Sequence, residues 1–282
     1  MRKKFVVDCR GRKLILGNNT CIMGIINVTP DSFSDAGLFY DKDKAVAHGI
    51  RMAQLGAGIL DVGGESTRPG ASSVSSDEQM RRVISVINDL SKKVSALISI
   101  DTSNSEVAEA AIKAGAVIVN DISGLRADKK MAGIVAKYKV GCIIMHIKGT
   151  PRTMQKSPVY KNLMKEICIW LKGGIKIATR AGISRNRIII DPGIGFGKTV
   201  RHNLEIIRNL SKLNVLNRPI LLGPSRKSFI GKILNLPVDE RLAGTTAAAS
   251  IAVACGAHIL RVHDVKEILQ AARVTDAILN KG

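Results

Sequence analysis

The sequence predicts an α/β fold, a single closed (β/α)8 TIM barrel with a short N-terminal hairpin that caps the bottom of the barrel. Three observations carry this prediction. Short apolar runs alternate with helical stretches, the runs lack the period-two pattern of half-exposed strands, and eight of them occur. Eight βα units favour a closed barrel over an open, doubly wound sheet. We expect one domain over residues 1–282, because no break in composition divides the chain.

The first nineteen residues predict the hairpin. Two apolar fragments, at residues 5–7 and 14–16, flank a turn-like stretch at residues 9–12. The hairpin is therefore assigned to residues 1–19 and the barrel to residues 20–282. The eight predicted barrel strands are residues 21–26, 59–62, 97–101, 117–120, 142–145, 188–191, 220–222 and 259–262.

Helices are predicted in the intervals between these strands. One interval has apolar residues at helical spacing, namely Met80, Val83, Ile84, Ile87 and Leu90. Three residue pairs have the spacing of capping boxes at helix starts, and these are Ser76 with Gln79, Ser103 with Glu106, and Asp264 with Glu267.

The composition excludes several classes of function. A net charge of +20 is compatible with nucleic acid, an anionic membrane or anionic substrates. Aromatic residues make up only 3% and no helix-turn-helix or zinc-knuckle spacing occurs, so we expect no nucleic-acid partner. The apolar run after the basic N-terminus is three residues long, which is too short for a signal peptide or membrane span.

The cysteines point to a reducing compartment. The chain has five cysteines, which are scattered and include no Cys-x-x-Cys pair. This pattern argues against a disulfide framework and against a zinc site. We therefore expect a cytoplasmic protein.

Polar side chains follow the predicted strands at their carboxyl ends. These residues are Asn27, Asp61, Asp101, Asn120, His146, Asp191, Ser225, Lys227, Arg261 and His263. Functional groups of a βα barrel gather at this end of the strands, so we expect them to share one mouth. The stretch at residues 61–70 adds a glycine-rich loop with a carboxylate, two hydroxyls and a guanidinium, a set suited to binding an anion.

One glycine-rich stretch imitates a nucleotide-binding motif. Residues 193–199 end in Gly197-Lys198-Thr199, as a P-loop does. The P-loop pattern requires a glycine five residues before Gly197, and Pro192 stands there instead. The stretch is therefore not read as a nucleotide-binding loop.

Seven separated motifs resemble those of the dihydropteroate synthase family. They lie in order at residues 27–35, 63–70, 100–102, 120–124, 191–198, 225–228 and 261–264. The resemblance runs from about residue 20 to the C-terminus. It implies a transferase of folate biosynthesis, a sulfonamide target, that joins 6-hydroxymethyl-7,8-dihydropterin diphosphate to 4-aminobenzoate and releases pyrophosphate. It also implies a homodimer, for which the small-residue stretch at residues 244–254 is a candidate contact.

Residue chemistry and the resemblance together predict a pterin pocket. A carboxylate such as that of Asp191 accepts two N–H donors from the edge of a pterin ring. The residues predicted to bind the pterin are Asp101, Asn120, Asp191, Lys227, Met145 and Phe196.

A second group is predicted to hold the diphosphate, because loops after the last strands of such barrels often bind phosphate. Its members are Asn27, Thr67, Arg68, Arg261 and His263. Asn27 is also the predicted ligand of a Mg²⁺ cofactor bridged to the phosphates.

The third group is predicted to bind 4-aminobenzoate through flat or apolar partners and a hydroxyl. Its members are Phe33, Thr67, Pro69, Phe196 and Ser225. The predicted catalytic residues are Asp101, Lys227, Asp35, Arg261 and His263. No Ser–His or Cys–His nucleophile pair is expected, so charge stabilisation is favoured over covalent catalysis.

Two alternatives remain at this point. A pterin-dependent methyltransferase would share the barrel and the pterin pocket, although it has no use for residues 65–70 or 225–228. A basic nucleic-acid-binding protein is suggested by the net charge alone. Within the family pattern, Ile194 replaces a common Phe, and Pro224 replaces a Val or Thr before Ser225.

Overall fold

A computed structural model describes residues 2–29, 42–66 and 74–279 of the chain. Five predicted site residues lie outside these ranges, and they are Phe33, Asp35, Thr67, Arg68 and Pro69.

Two strands form the hairpin and eight form a parallel barrel among the described residues. The strands are β1 (Phe5–Cys9), β2 (Arg12–Leu16), β3 (Cys21–Asn27), β4 (Ile59–Gly63), β5 (Leu97–Asp101), β6 (Ile118–Asp121), β7 (Gly141–Met145), β8 (Ile188–Asp191), β9 (Leu221–Leu222) and β10 (Ile259–Val262). The parallel strands have the order β8-β7-β6-β5-β4-β3-β10-β9. A bridge between Ile190 and Ile220 joins the two ends of this sheet. The prediction of a barrel with an N-terminal hairpin is confirmed.

Helices cover the outside of the barrel. They are α1 (Lys42–Gln54), α2 (Ser76–Lys93), α3 (Ser105–Lys113), α4 (Met131–Tyr138), α5 (Leu163–Arg180), α6 (Val200–Arg208), α7 (Ser228–Leu234), α8 (Leu242–Ala254) and α9 (Val265–Leu279). Within the described ranges, none of them combines the length and apolar content that crossing a bilayer requires.

Two of the predicted capping boxes are wrong by one residue. The α2 cap is Ser75, whose hydroxyl accepts the backbone N–H of Glu78, and the α3 cap is Asn104. The predicted cap Ser103 and the predicted box partner Gln79 have tertiary partners instead. The Ser103 hydroxyl donates to Asp121, and the Gln79 side chain donates to the carboxylate of Glu65. Local spacing does not reveal partners that come from other strands.

The lower barrel interior is entirely apolar. Each barrel strand contributes one buried residue to it, and these are Met23, Ile59, Leu97, Ile118, Ile143, Ile189, Leu221 and Ile259. Hairpin residues complete the same cluster, namely Val7, Cys9, Leu14 and Leu16. The hairpin therefore seals the N-terminal end of the barrel. A salt bridge of 2.6 Å between Asp8 and Arg187 also holds it there.

The next level of the interior is mostly polar, and it positions the site. Alternate residues of a strand point to the same side, so the inward positions recur two residues further along each strand. These positions are Ile25, Asp61, Ser99, Asn120, Met145, Asp191, Gly223 and Arg261. The barrel interior thus changes from an apolar floor to a mostly polar pocket within two residues along each strand.

Candidate active site

A pocket lies at the carboxyl ends of the strands. Its lining contains all six residues predicted to bind the pterin, together with Arg261. Three further lining residues were not predicted, namely Ile122, Ile194 and Gly223. The site residues were predicted mainly from polar side chains at strand ends. The two isoleucines are apolar and the glycine has no side chain, so this criterion does not find them. Their places follow only from the closure of the barrel.

An ion cluster forms one wall of the pocket. The Arg261 guanidinium donates through Nε to Asp61 Oδ2 at 2.6 Å and through Nη2 to Asp101 Oδ2 at 2.7 Å. Asn120 Nδ2 donates to the same Asp61 oxygen at 3.0 Å. Asp61 is fully buried and received no role from the sequence beyond its place at a strand end. The predicted diphosphate ligand Arg261 is thus held by two carboxylates of the barrel interior.

Burial and the neighbouring charges shift the pKa of Asp101. Desolvation raises its pKa to about 7, although the positive charge of Arg261 acts in the opposite direction. The negative charge of Asp61 raises this pKa further. Its Oδ1 atom is buried and has no hydrogen-bond partner among the described residues. Asp101 therefore presents an acceptor whose charge changes near physiological pH.

Asp191 is the second carboxyl group of the pocket. Its Oδ1 accepts the backbone N–H of Gly193 at 2.7 Å. Burial raises its pKa to about 6, while the Gly193 hydrogen bond and the charges of Lys227 and Lys198 lower it. The carboxylate is thus positioned by its own loop and supported by nearby cations.

The loop after β8 requires glycine because it packs against the end of β7. A Cβ at Gly193, where φ is +70°, would come within 2.0 Å of the His146 carbonyl oxygen. A Cβ at Gly197 would come within 2.5 Å of the Lys148 carbonyl oxygen. This close approach brings the Phe196 ring into the pocket, with Lys227 Nζ 4.4 Å from the ring centroid.

Lys198 lies behind this loop, and its role was not anticipated from the sequence. Its buried Nζ donates to the Phe196 carbonyl oxygen at 2.8 Å and lies 3.0 Å from His146 Nδ1. Burial lowers the pKa of His146 to about 2, so its ring is neutral and Nδ1 is the acceptor. Burial also lowers the pKa of Lys198 to about 7. The sequence feature that could have drawn attention to Lys198 is its position in a glycine-rich stretch.

Ser225 and His263 are hydrogen-bonded to each other, a contact that the sequence did not reveal. Ser225 Oγ lies 2.9 Å from His263 Nδ1 and accepts the His263 backbone N–H at 3.2 Å. Burial lowers the pKa of His263 to about 4, which makes the imidazole a weak base. The hydrogen bond orients the two side chains. The His263 imidazole is too weak a base to activate a nucleophile at neutral pH.

The residues around the segment 67–73 are tied together. Glu65 accepts the backbone N–H of Val74 at 3.0 Å and the Gln79 side-chain N–H at 3.3 Å. The Gln79 carbonyl oxygen accepts the hydroxyl of Thr102, in the residue after β5, at 3.2 Å. These bonds fix both ends of the segment that contains the predicted residues Thr67, Arg68 and Pro69.

The described residues offer no self-sufficient metal site. No group of three or more His, Cys, Asp or Glu residues within 2–29, 42–66 and 74–279 is arranged to hold an ion. Asn27 ends β3 beside Gly63 and is half-buried, with one neutral amide oxygen to offer. This donor set suits a Mg²⁺ ion that receives most of its ligands from substrate phosphates and water.

Comparison with known proteins assigns the family. The protein-family model for pterin-binding enzymes matches residues 23–263. The dihydropteroate synthase of Clostridium beijerinckii is 49% identical over 94% of this chain and 97% of its own length. That of Bacillus subtilis is 45% identical over 98% of this chain and 95% of its own.

Solved structures agree with this assignment. Dihydropteroate synthase from Clostridium difficile, crystallised in the presence of pteroic acid, superposes with a TM-score of 0.89 at 48% identity, covering 94% of this chain and 99% of that one. The Xanthomonas albilineans enzyme with 4-aminobenzoic acid gives 0.92 at 41% identity, covering 99% and 100%. The chain therefore belongs to the dihydropteroate synthase family of pterin-binding enzymes.

Proposed function

We propose that this protein condenses 6-hydroxymethyl-7,8-dihydropterin diphosphate with 4-aminobenzoate to give 7,8-dihydropteroate and pyrophosphate. The observation that carries this proposal is the convergence of Asp101, Asn120, Asp191 and Lys227 in one pocket. Acceptors and a cation at these positions complement the donors and the carbonyl of a pterin edge. Membership of the family and the ligands in its solved structures support the same reaction.

Asp191 is the main pterin anchor in this proposal. Gly193 occupies one of its carboxylate oxygens and leaves further lone pairs for the ring N–H groups. Asn120 and Asp101 read the remaining ring nitrogens, and Lys227 donates to the ring carbonyl. Met145 and Phe196 cover the ring with apolar surface.

The diphosphate is assigned to Arg261, His263 and Asn27, with Thr67 and Arg68 from the segment that follows β4. Arg261 already pairs with two carboxylates, so only its remaining N–H groups are available to an anion. A Mg²⁺ ion held by Asn27 and the phosphates would neutralise charge on the leaving group. The protein residues would bind and orient the diphosphate.

The second substrate is assigned to the rim. Phe196 and the stem of Lys227 offer a flat surface to the benzoate ring. The buried Ser225 is assigned to the benzoate carboxylate, although it is not among the residues that line the pocket. Phe33, Thr67 and Pro69 are proposed to complete this subsite. We expect 4-aminobenzoate, and sulfonamides that imitate it, to bind only when pyrophosphate or the pterin diphosphate is present, because Thr67 is assigned to both subsites and couples the binding of one ligand to that of the other.

The chemical step breaks a C–O bond and forms a C–N bond. Pyrophosphate leaves with the bonding electron pair, and Asp101 and Asp35 stabilise the positive charge left on the pterin methylene. The arylamine nitrogen supplies the new electron pair and then loses a proton. Exclusion of water by the assembled site protects the cation from hydrolysis.

The test follows pyrophosphate release and dihydropteroate formation with and without 4-aminobenzoate and Mg²⁺. We expect both products in equal amounts only when both substrates and the ion are present. In Asp191→Asn an amide donor faces ring donors, which should weaken pterin binding by about 2–4 kcal/mol. Unchanged pterin affinity in that variant would remove Asp191 from the site, and absence of dihydropteroate would remove the proposed function.

We also propose a homodimer in the cytoplasm. Exposed apolar side chains on α7, α8 and α9 support the dimer, and they are Ile233, Ile251, Val274 and Ile278. The five cysteines are all free thiols, which suits a reducing compartment. Sedimentation should give the mass of two chains, and Ile251→Asp should shift it to one. A monomeric wild-type chain would contradict the dimer.

A further inference from the structure

Asp61 is a fully buried carboxylate in the barrel interior for which the proposed mechanism gives no task. It opens the glycine-rich stretch at residues 61–70, yet it is not among the side chains that line the pocket. A buried carboxylate without a function is costly, because its desolvation must be offset by partners. The identity of those partners indicates what it does.

The Asp61 carboxylate connects strands that are not its neighbours. From β4 its Oδ2 reaches Asn120 on β6 at 3.0 Å and Arg261 on β10 at 2.6 Å. Each of these strands is separated from β4 by one other strand of the barrel. Asp61 thus lies beneath the pocket and joins two of its walls.

This contact decides which atoms Asn120 shows to a ligand. The amide nitrogen of Asn120 donates to Asp61, so the amide oxygen is the atom left for the pocket. Without the Asp61 carboxylate, either the oxygen or the nitrogen of the Asn120 amide could face the pocket. The choice between donor and acceptor at this point of the pocket is therefore made by Asp61.

The same oxygen fixes the Arg261 guanidinium. Nε is held by Asp61 and Nη2 by Asp101, which sets the plane of the group from two sides. Its remaining N–H groups then have a defined direction. With only Asp101 as partner, the guanidinium would be free to rotate about that single contact.

We propose that Asp61 is a positioning residue of the pterin diphosphate site, which orients the Asn120 amide and the Arg261 guanidinium without touching the substrate. The inference rests on the proposed function, since it assigns a role within the same site. It differs from a merely structural role, in which Asp61 would only balance the charge of Arg261 and removal would lower stability alone.

The first test compares Asp61→Asn with Asp121→Asn by calorimetry with the pterin diphosphate. Asp121 is an equally buried aspartate, but its oxygens accept from Ser103, Ser123 and Leu125. We expect the pterin diphosphate to bind at least tenfold more weakly to Asp61→Asn than to the wild type. The affinity of folded Asp121→Asn should change less than twofold. Wild-type affinity in Asp61→Asn would overturn the inference.

A pH profile separates positioning from simple loss of stability. Asp101 is faced by Arg261, Asp61, Asp121 and Lys227, and the negative charge of Asp61 raises its pKa. Replacing Asp61 by Asn removes that charge, so the acidic limb of the binding profile should move to lower pH. An acidic limb at the wild-type position would contradict the coupling between these groups. Asp121 faces Asp101 as well, and its variant is therefore compared in affinity only.

An exchange variant keeps the test decisive if Asp61→Asn does not fold. Asp61→Asn combined with Asn120→Asp preserves the net charge and reverses the direction of the hydrogen bond, leaving an oxygen toward the pocket. We expect it to bind the pterin diphosphate more tightly than Asn120→Asp alone, whose two carboxylates repel. An exchange variant no tighter than that single variant would overturn the inference. A wild-type protein that binds the pterin but forms no dihydropteroate would instead remove the proposed function.

Discussion

The ionisation of the pocket is set by burial and by a small number of cations. Asp101 and Asp191 have pKa values of about 7 and about 6, both raised by desolvation. Arg261 and Lys227 act against that increase in both cases. Ligand donors therefore meet carboxyl groups whose charge depends on pH within the physiological range.

Pterin binding should weaken as the pH falls from 8 to about 5.5. Both pKa values are raised, so acidification protonates Asp191 and Asp101 in the ligand-free pocket, and binding to ring donors must displace those protons. Binding at pH 6 should thus release protons, which calorimetry in buffers of different ionisation enthalpy detects. Affinity that increases on acidification would show that the protonated forms bind.

Arg261→Ala should lower the free energy of unfolding by about 3–5 kcal/mol, because it leaves two buried aspartates without their counter-charge. Denaturant unfolding measures this loss. The folded fraction should lose more affinity for the pterin diphosphate than for the bare hydroxymethyl pterin. Equal losses would mean that Arg261 only holds the mouth of the barrel together. Arg187→Ala, which breaks a partly exposed pair with Asp8, should cost less stability and leave both affinities unchanged.

At the scale of elements, α2 and β5 support the segment that follows β4. Gln79 lies in the first turn of α2 and is bonded to Glu65, to the Val74 carbonyl and to Thr102. Glu65 holds the Val74 N–H as well. A helix start and the residue after a strand thus anchor both ends of a segment whose predicted residues serve two substrates.

Gln79→Leu should weaken 4-aminobenzoate binding in the presence of pyrophosphate, while pterin affinity stays close to that of wild type. The substitution keeps the size of the side chain and removes the bonds to Glu65, Val74 and Thr102. Each buried partner left unsatisfied costs about 1–3 kcal/mol. Calorimetry with each ligand measures the split, and Arg81→Gln on the exposed face of α2 is the control. Parallel weakening of both ligands would show that the whole mouth had changed.

At the scale of the whole molecule, stability and function occupy opposite ends of the barrel. The floor is an apolar cluster closed by the hairpin, and the polar pocket begins one level above it. Among the described residues the hairpin packs against the barrel floor, and the Arg10 guanidinium donates to the Ile112 carbonyl at 3.0 Å. Changes at the floor therefore reach the pocket only through the stability of the whole fold.

Leu16→Ala should destabilise the protein by about 2–5 kcal/mol, since Leu16 is buried against the barrel floor. The KM values for both substrates should stay unchanged at temperatures where the variant is folded. Thermal unfolding and steady-state kinetics measure the two effects. A changed KM would show that the hairpin is coupled to the pocket. Ile15→Ala, on the exposed face of the same strand, should change neither.

The sequence by itself determined the barrel, the hairpin and most of the pocket lining. Apolar runs and helical spacing are local properties, and in a parallel barrel all strand ends fall on one side. Naming the polar residues at the carboxyl end of each apolar run was therefore enough to collect Asp101, Asn120, Asp191 and Arg261. The seven motifs added the family.

Tertiary structure alone decided how these residues are paired and charged. Asp61 and Arg261 are 200 positions apart and Lys198 and His146 are 52 apart, so no local pattern links them. Two predicted capping boxes fail for the same reason, because the side chains of Ser103 and Gln79 have partners on other elements. The raised pKa values of Asp101 and Asp191 follow from desolvation, which exists only once the barrel has closed around them.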